Sequence, residues 1–188
     1  MSHRIYYFAY GSNLHPTRLR QRTPSCQSLG VAVLFSHALR FHKRGGDGSG
    51  KCNVLPTGDP QDQVYGAVYA LVADERMALD RAEGLGHGYT LVTRTLRLPG
   101  VEREIFYYSA DPAYIDDALR PYQWYKDLVI HGSRFHRLPL LYQRALQEVT
   151  AVPDIDPRRN ALHRHILESV PSRSGWDRDN WPGCAEIA

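Results

Sequence analysis

The sequence predicts an α+β fold, a small mixed β-barrel flanked by helices. Three observations carry this. Apolar strand-formers, running or alternating, dominate the chain up to residue 110. Short helical segments interrupt them within residues 14–25 and at residues 74–82. Beyond residue 110 the apolar spacing changes to three and four. Strands first and helices afterwards fit a mostly β core with helices packed outside.

The elements follow in order. Residues 4–10, RIYYFAY, are strand formers running into the turn cluster Gly11-Ser12-Asn13. So continuous an apolar run suits a strand covered on both faces. Residues 14–25 are polar, and Leu14 and Leu19 anchor one short helix there. Residues 31–43 alternate loosely and read as one long strand. Residues 45–50, with four glycines in six positions, break it. Residues 52–55 form a short strand and residues 63–72, QVYGAVYALV, a buried one.

A helix is predicted over 74–82 with Asp74 as its N-cap and an apolar face of Met77, Leu79 and Ala82. Glycines at 84, 86 and 88 stop it. Residues 89–98 and 102–109 alternate again, and Pro99-Gly100 makes them a hairpin. Leu138, Leu141, Tyr142, Ala145, Leu146 and Val149 recur at helical spacing. Residues 156–169 form a last helix, with Asp156 as N-cap and Pro157 at its first position. Residues 171–188 are rich in proline and glycine and contain Trp176 and Trp181, which fits a segment wrapping the surface or lacking order.

Composition excludes several classes. With 188 residues, 43% of them hydrophobic and 23% charged, the chain has the make-up of one globular domain. No apolar run approaches the ~18 residues of a membrane span. The N-terminus lacks the apolar stretch and cleavage site of a secretory signal. Three cysteines without a CxxC spacing argue against a disulfide framework and a cysteine-rich zinc site, and a cytoplasmic home is expected. A net charge of +3 is too small to require nucleic acid or an anionic membrane as partner.

Two places invite chemistry. Tyr10-Gly11-Ser12-Asn13 follows a strand and precedes a helix, where backbone N–H groups can converge on a carboxylate or an oxyanion. The plainer reading is an ordinary tight turn. Glu83 ends a helix and is followed at once by a glycine-rich loop and Tyr89. The helix dipole and partial burial both disfavour the anion there, which makes a better base near neutral pH. The plainer reading is an exposed glutamate beside a capping glycine. Gly84-x-Gly86-x-Gly88 lacks the strand and helix of a dinucleotide site, and His163-x-His165 points its rings to different helix faces. Phe41-His42-Lys43-Arg44 reads as a solvated strand end rather than a nucleic-acid contact.

Taken in sequence, these segments resemble a known family. Tyr7-Phe8-Ala9-Tyr10-Gly11-Ser12-Asn13-Leu14 looks like the opening signature of the γ-glutamylcyclotransferases. Arg18-Leu19, Arg22-x-Pro24 and residues 47–54 resemble the family's next segments, and residues 63–69 the strand before its catalytic helix. Leu79-Asp80-Arg81-Ala82-Glu83-Gly84 with Gly88-Tyr89 resembles the stretch carrying the catalytic glutamate. Pro121-x-x-x-Tyr125, Gly132 and Leu138-Pro139-x-x-Tyr142 resemble the C-terminal helical part. The likeness spans residues 4–150, so the expected organisation is a family-like domain over 1–150 and a C-terminal helix and tail over 151–188, packed on it or trailing from it.

The resemblance implies a β-barrel flanked by helices, in agreement with the pattern above. It implies that the loop of Tyr7, Phe8, Ala9, Tyr10, Gly11, Ser12 and Asn13 holds the glutamyl end of a small γ-glutamyl substrate, that Glu83 is the acid/base, and that Tyr125 lines the cavity. The implied reaction is attack of the substrate's α-amine on its own γ-carbonyl, releasing 5-oxoproline and an amino acid, with no cofactor and no metal. Such a glutamate needs apolar or aromatic walls, and Tyr89 and Tyr125 are candidates. The expected protein is a monomer or homodimer without nucleic-acid or membrane partners. Two other readings stay open: a cyclotransferase for another γ-glutamyl amine or acyl adduct, and a catalytically silent binder of glutamyl-like ligands.

Overall fold

A computed structural model describes residues 3–98, 101–169 and 184–187. Its eight strands are β1 (Arg4–Ala9), β2 (Gln27–Phe35), β3 (His37–Arg44), β4 (Gly50–Pro56), β5 (Gln63–Val72), β6 (Tyr89–Leu98), β7 (Val101–Ala110) and β8 (Cys184–Ile187). Its five α-helices are α1 (Pro16–Arg22), α2 (Arg76–Glu83), α3 (Gln123–Phe135), α4 (Leu140–Glu148) and α5 (Pro157–Glu168). Six strands close a barrel in the order β1-β5-β2-β8-β6-β7, and β3 and β4 pair separately. The fold is the mixed barrel with outer helices that the pattern predicted.

β1 and β5 form the spine. They pair antiparallel from Arg4 opposite Val72 to Ala9 opposite Ala67. β1 also meets β7 in parallel at Tyr7 and Phe106, which closes the barrel beside the turn cluster. Phe8, Ala9, Val68, Tyr69 and Leu71 are fully covered. The β6–β7 hairpin pairs in register from Tyr89 opposite Ala110 to Leu98 opposite Val101, and the Pro99-Gly100 turn expected to join it lies outside the described residues.

Several expectations are corrected. The single strand over 31–43 is two, because Ser36 takes a left-handed backbone (φ 58°) and turns the chain out of the barrel into the β3–β4 pair. Asp74 caps no helix; it lies in a 3-10 turn over Ala73–Glu75, and α2 begins at Arg76. Of the apolar face expected there only Leu79 is buried, and Met77 is 65% exposed. α4 starts after Pro139, so Leu138 precedes it, and Leu141 faces outward. Residues 184–187, expected in an irregular tail, are a barrel strand between β2 and β6. Trp176 and Trp181 lie outside the described residues. α5 begins as expected, with Asp156 accepting from the Arg158 and Arg159 N–H groups and Pro157 in its first turn.

α3 is the helix that positions the site, and its spacing went unread. Its buried face carries Trp124, Tyr125, Leu128, Val129 and Gly132 at helical spacing, with Gln123 and Arg134 exposed on the other side. It presses on the turn after β1 through Gly132, where an added Cβ would lie 2.4 Å from the Leu14 carbonyl carbon and 2.7 Å from the His15 nitrogen. These are backbone atoms and cannot swing aside. Gly132→Ala should therefore lower stability by about 1–3 kcal/mol despite the better helix propensity of alanine. A urea unfolding midpoint equal to that of the wild type would show that the contact is slack.

His15 sits in the same interface, fully covered, with neither ring nitrogen hydrogen-bonded. Burial, helped by neighbouring His131 and Arg18, holds its imidazolium pKa down at about 4 against an ordinary 6.5. The unfolded chain thus binds a proton that the folded chain refuses, and stability is lost as pH falls from about 6.5 toward 4. His15→Leu should flatten the fall in melting temperature across that window. Parallel curves for the two proteins would remove His15 from the acid response.

Candidate active site

The turn after β1 runs Tyr10-Gly11 into a 3-10 turn over Ser12–Leu14. Ser12 and Asn13 stand in its first turn, where N–H groups have no acceptor within the helix. Gly11 allows the close approach this needs: an added Cβ would lie 3.0 Å from Cys52 Cβ and 3.4 Å from Tyr125 Oη. The turn, β4, α2 and α3 thereby enclose a narrow inner cleft. Its walls are Tyr7, Tyr10, Gly11, Ser12, Asn13, Cys52, Tyr89, Tyr108 and Tyr125, with Glu83 among them.

Glu83 is the last residue of α2, and Gly84 stops the helix with a left-handed backbone (φ 70°). The carboxylate is 17% exposed. Its Oε1 accepts from Arg22 Nη1 at 2.5 Å and from Asn13 Nδ2 at 2.9 Å. Asn13 uses both ends of its amide. Nδ2 also donates to Tyr7 Oη at 2.9 Å, and Oδ1 accepts from Arg22 Nη1 at 2.7 Å. The other carboxylate oxygen of Glu83 has no described partner. One oxygen is anchored by two donors while the second stays available to a ligand.

The tyrosines form a rigid wall. Tyr89 Oη donates to the Cys52 carbonyl at 2.6 Å, and Tyr125 Oη accepts from the Cys52 N–H at 3.0 Å. Tyr10 Oη donates to the Tyr108 carbonyl, and Tyr108 Oη to Asp80 at 2.6 Å. Burial raises the pKa of Tyr7, Tyr10, Tyr89, Tyr108 and Tyr125 above the ordinary phenol value, so all stay neutral. Burial also pushes the Cys52 thiol up to about 12, which leaves no thiolate at neutral pH. Glu83 supplies the one carboxylate among the residues lining the inner cleft.

The structure thus brings Tyr7, Tyr10, Gly11, Ser12, Asn13, Glu83 and Tyr125 together around one cleft. It does not bring Phe8 and Ala9. Successive strand residues face opposite ways, so Phe8 packs on Tyr107 and Tyr10, and Ala9 is sealed opposite Ala67 in β5. Arg22 was missed, although an ion partner is what a half-buried carboxylate demands. Its place on the helix following the turn was the available signal. Lys43 was misread: it is 6% exposed, not solvated. Among the described residues no group of three or more metal-ligating side chains converges, and no helix is long and apolar enough to cross a membrane.

Comparison with known proteins agrees with this architecture. Residues 7–127 match the profile of the family described as gamma-glutamyl cyclotransferase, AIG2-like. The chain is 31% identical over 150 residues to human gamma-glutamylcyclotransferase, a match covering 76% of this chain and 77% of that one. The bovine gamma-glutamylcyclotransferase is 29% identical over the same shares. A solved structure titled gamma-glutamyl cyclotransferase superposes with a TM-score of 0.74 over 87% of this chain and 99% of its own, at 24% identity. An uncharacterized human protein of known crystal structure gives a TM-score of 0.72 over 86% and 98%, also at 24% identity. With a profile match over well over half of its length, the chain belongs to the gamma-glutamyl cyclotransferase, AIG2-like family.

Proposed function

We propose that the protein is a γ-glutamylcyclotransferase that releases 5-oxoproline and a free amino acid from a γ-glutamyl amino acid. The observation that supports it most is the one-sided anchoring of Glu83: Arg22 and Asn13 hold one oxygen at the wall of a tyrosine-lined cleft, and the other is open.

In this reading the glutamyl group folds into the inner cleft. The nucleophile is already tethered to the electrophile, and a fixed geometry adds orientation; well-aligned intramolecular reactions reach effective molarities of about 10⁵–10⁸ M. An α-amine with a pKa of about 8 is mostly protonated at neutral pH and must lose a proton to attack. Once it has attacked, a nitrogen–carbon bond closes the five-membered ring. Glu83 takes a proton from that nitrogen and returns it to the leaving nitrogen as the old amide bond breaks. Proton transfer of this kind contributes about 10²–10⁴-fold. The oxyanion formed on the way is received by N–H groups of the Gly11–Asn13 turn, where one donor is worth about 2.7–4 kcal/mol of barrier.

A second reading is favoured by the size of the outer chamber. A chamber of about 300 Å³ opens beyond Glu83, lined in part by Lys43, Gly45, Gly46 and Lys51. That leaves room for a γ-glutamyl amine or adduct larger than a single amino acid. Incubating the protein with γ-glutamyl dipeptides, γ-glutamyl amines and glutathione, and assaying 5-oxoproline by mass, separates the two. Release from the dipeptides supports the first reading; release from the larger compounds alone supports the second; release from none contradicts both.

Glu83→Gln preserves the shape and should keep the far-ultraviolet dichroism while lowering kcat at least about a hundredfold. Turnover within tenfold of the wild type would take the proton-transfer role from Glu83. Gly11→Val places a branched side chain against Cys52 and Tyr125. It should raise KM far more than it shifts the melting temperature, and an unchanged KM would remove the turn from substrate binding.

A further inference from the structure

The inner and outer chambers share Ser12, Glu83, Tyr89 and Tyr125. A substrate whose glutamyl end fills the inner cleft, and whose scissile bond lies at Glu83, must run its leaving group through that junction into the outer chamber. The outer chamber is strongly cationic. Arg18, Arg22, Lys43, Lys51 and Arg81 line it, and Glu83 is the acidic residue among its walls.

Two of these cations are matched from within. Arg22 pairs with Glu83, and Lys51 Nζ pairs with Asp47 Oδ2 at 2.7 Å. Three are not. Lys43 is nine-tenths buried, yet among the described residues it has no carboxylate within 4.0 Å and no hydrogen-bond acceptor. Its ammonium rests on the face of Tyr89, 4.4 Å from the ring centroid, and lies so near Gly88 that a Cβ there would sit 2.7 Å from Nζ. The ring backs the ammonium on one side, and Lys43 lines the chamber on the other, where a carboxylate can meet it. Arg18 meets the nitrogen of His163 at 3.3 Å, and its Nε is covered and unpaired. Arg81 makes no described ion pair.

We propose that the outer chamber is a subsite for an acidic leaving group, so that the preferred substrates are γ-glutamyl derivatives of dicarboxylic amino acids, with Lys43 as the residue that selects them. The proposal rests on the cyclotransferase reading of Glu83. An ordinary amino acid brings one carboxylate to the chamber and leaves two of the three unmatched cations unanswered. An acidic one brings a second carboxylate, which Lys43, backed by Tyr89, can meet at the wall while Arg18 or Arg81 takes the first. Glycines 45 and 46 leave the rim between Lys43 and Lys51 without side chains, so the path to Lys43 is open. Lys43 is a selecting residue, not a catalytic one, because its effect reaches the reaction only through the position of the leaving group.

The test compares γ-glutamyl-glutamate with γ-glutamyl-glutamine, which has the same shape and no side-chain charge. Initial rates of 5-oxoproline release at low ionic strength give kcat/KM for each. The expected ratio favours the glutamate compound by about tenfold or more, the scale of one charged hydrogen bond, and mostly through KM. Added salt should reduce the ratio. Lys43→Met should bring it to within about twofold of one, and Lys43→Arg should retain most of it. Because both substrates meet the same preparation, the ratio does not depend on how much of a variant is folded. A wild-type ratio near one with brisk turnover overturns the acidic subsite and leaves the cyclotransferase reading standing. A high ratio that survives Lys43→Met overturns the assignment to Lys43. Release from neither compound overturns this inference, and the cyclotransferase reading falls with it only when the wider panel of dipeptides, amines and glutathione also yields no 5-oxoproline.

Discussion

A carboxylate set among five tyrosines loses most of its water, and something must replace it. Here the replacement is two donors on one oxygen, the Arg22 guanidinium and the Asn13 amide. Neither could be removed without leaving a partly covered charge or polar group unmatched, which costs more than the pair gains. The bonds link α1, the turn after β1 and the end of α2, so placing Glu83 amounts to placing three segments at once. The tyrosines add stiffness rather than charge: their hydroxyls hold the backbone of β4 and β7 and remain neutral. The result is a cleft in which one oxygen of Glu83 has no described partner and the turn of Gly11, Ser12 and Asn13 forms part of the wall.

The barrel supplies the frame for that arrangement. β1 delivers the turn from a strand locked on both sides, by β5 along its length and by β7 at Tyr7. α3 then seals the turn from behind through the glycine contact at residue 132, and sends Tyr125 forward into the cleft. β3 and β4, outside the barrel, carry Lys43 and Cys52 to opposite parts of the same opening. Asn53 fastens this pair to the barrel by accepting from the Ala110 N–H at 2.8 Å. Inner cleft and outer chamber thus share the turn, β4, α2, β6 and α3, and differ in that α1 and β3 add Arg18, Arg22 and Lys43 to the outer one.

Much of this was legible in the residues. β5 announced itself by ten strand-forming residues, and α5 by Asp156 and Pro157, because those signals are local. The turn cluster and Glu83 stood out because glycines punctuate both. What stayed hidden depended on tertiary placement. The break at Ser36 has no glycine or proline to mark it. α3 is an exception, because Trp124, Tyr125, Leu128, Val129 and Gly132 recur at a helical spacing that the residues alone display. β8 is four residues long, too short for alternation to register. Lys43 follows Phe41 and His42 in what looked like a wet strand end, and only the packing of Tyr89 and Gly88 around it shows otherwise. Arg22 lies 61 residues from Glu83, and its place on the helix after the turn is the one hint of their pairing.

The central claim is geometric: the glutamyl group occupies the aromatic cleft with its amine against the open oxygen of Glu83. A crystal structure with 5-oxoproline bound tests it most directly. The account predicts the lactam ring between Gly11 and Tyr125, its nitrogen within hydrogen-bonding distance of Glu83 and its ring carbonyl facing the N–H groups of the turn. A ring seated in the outer chamber, or one whose nitrogen faces away from Glu83, would contradict it.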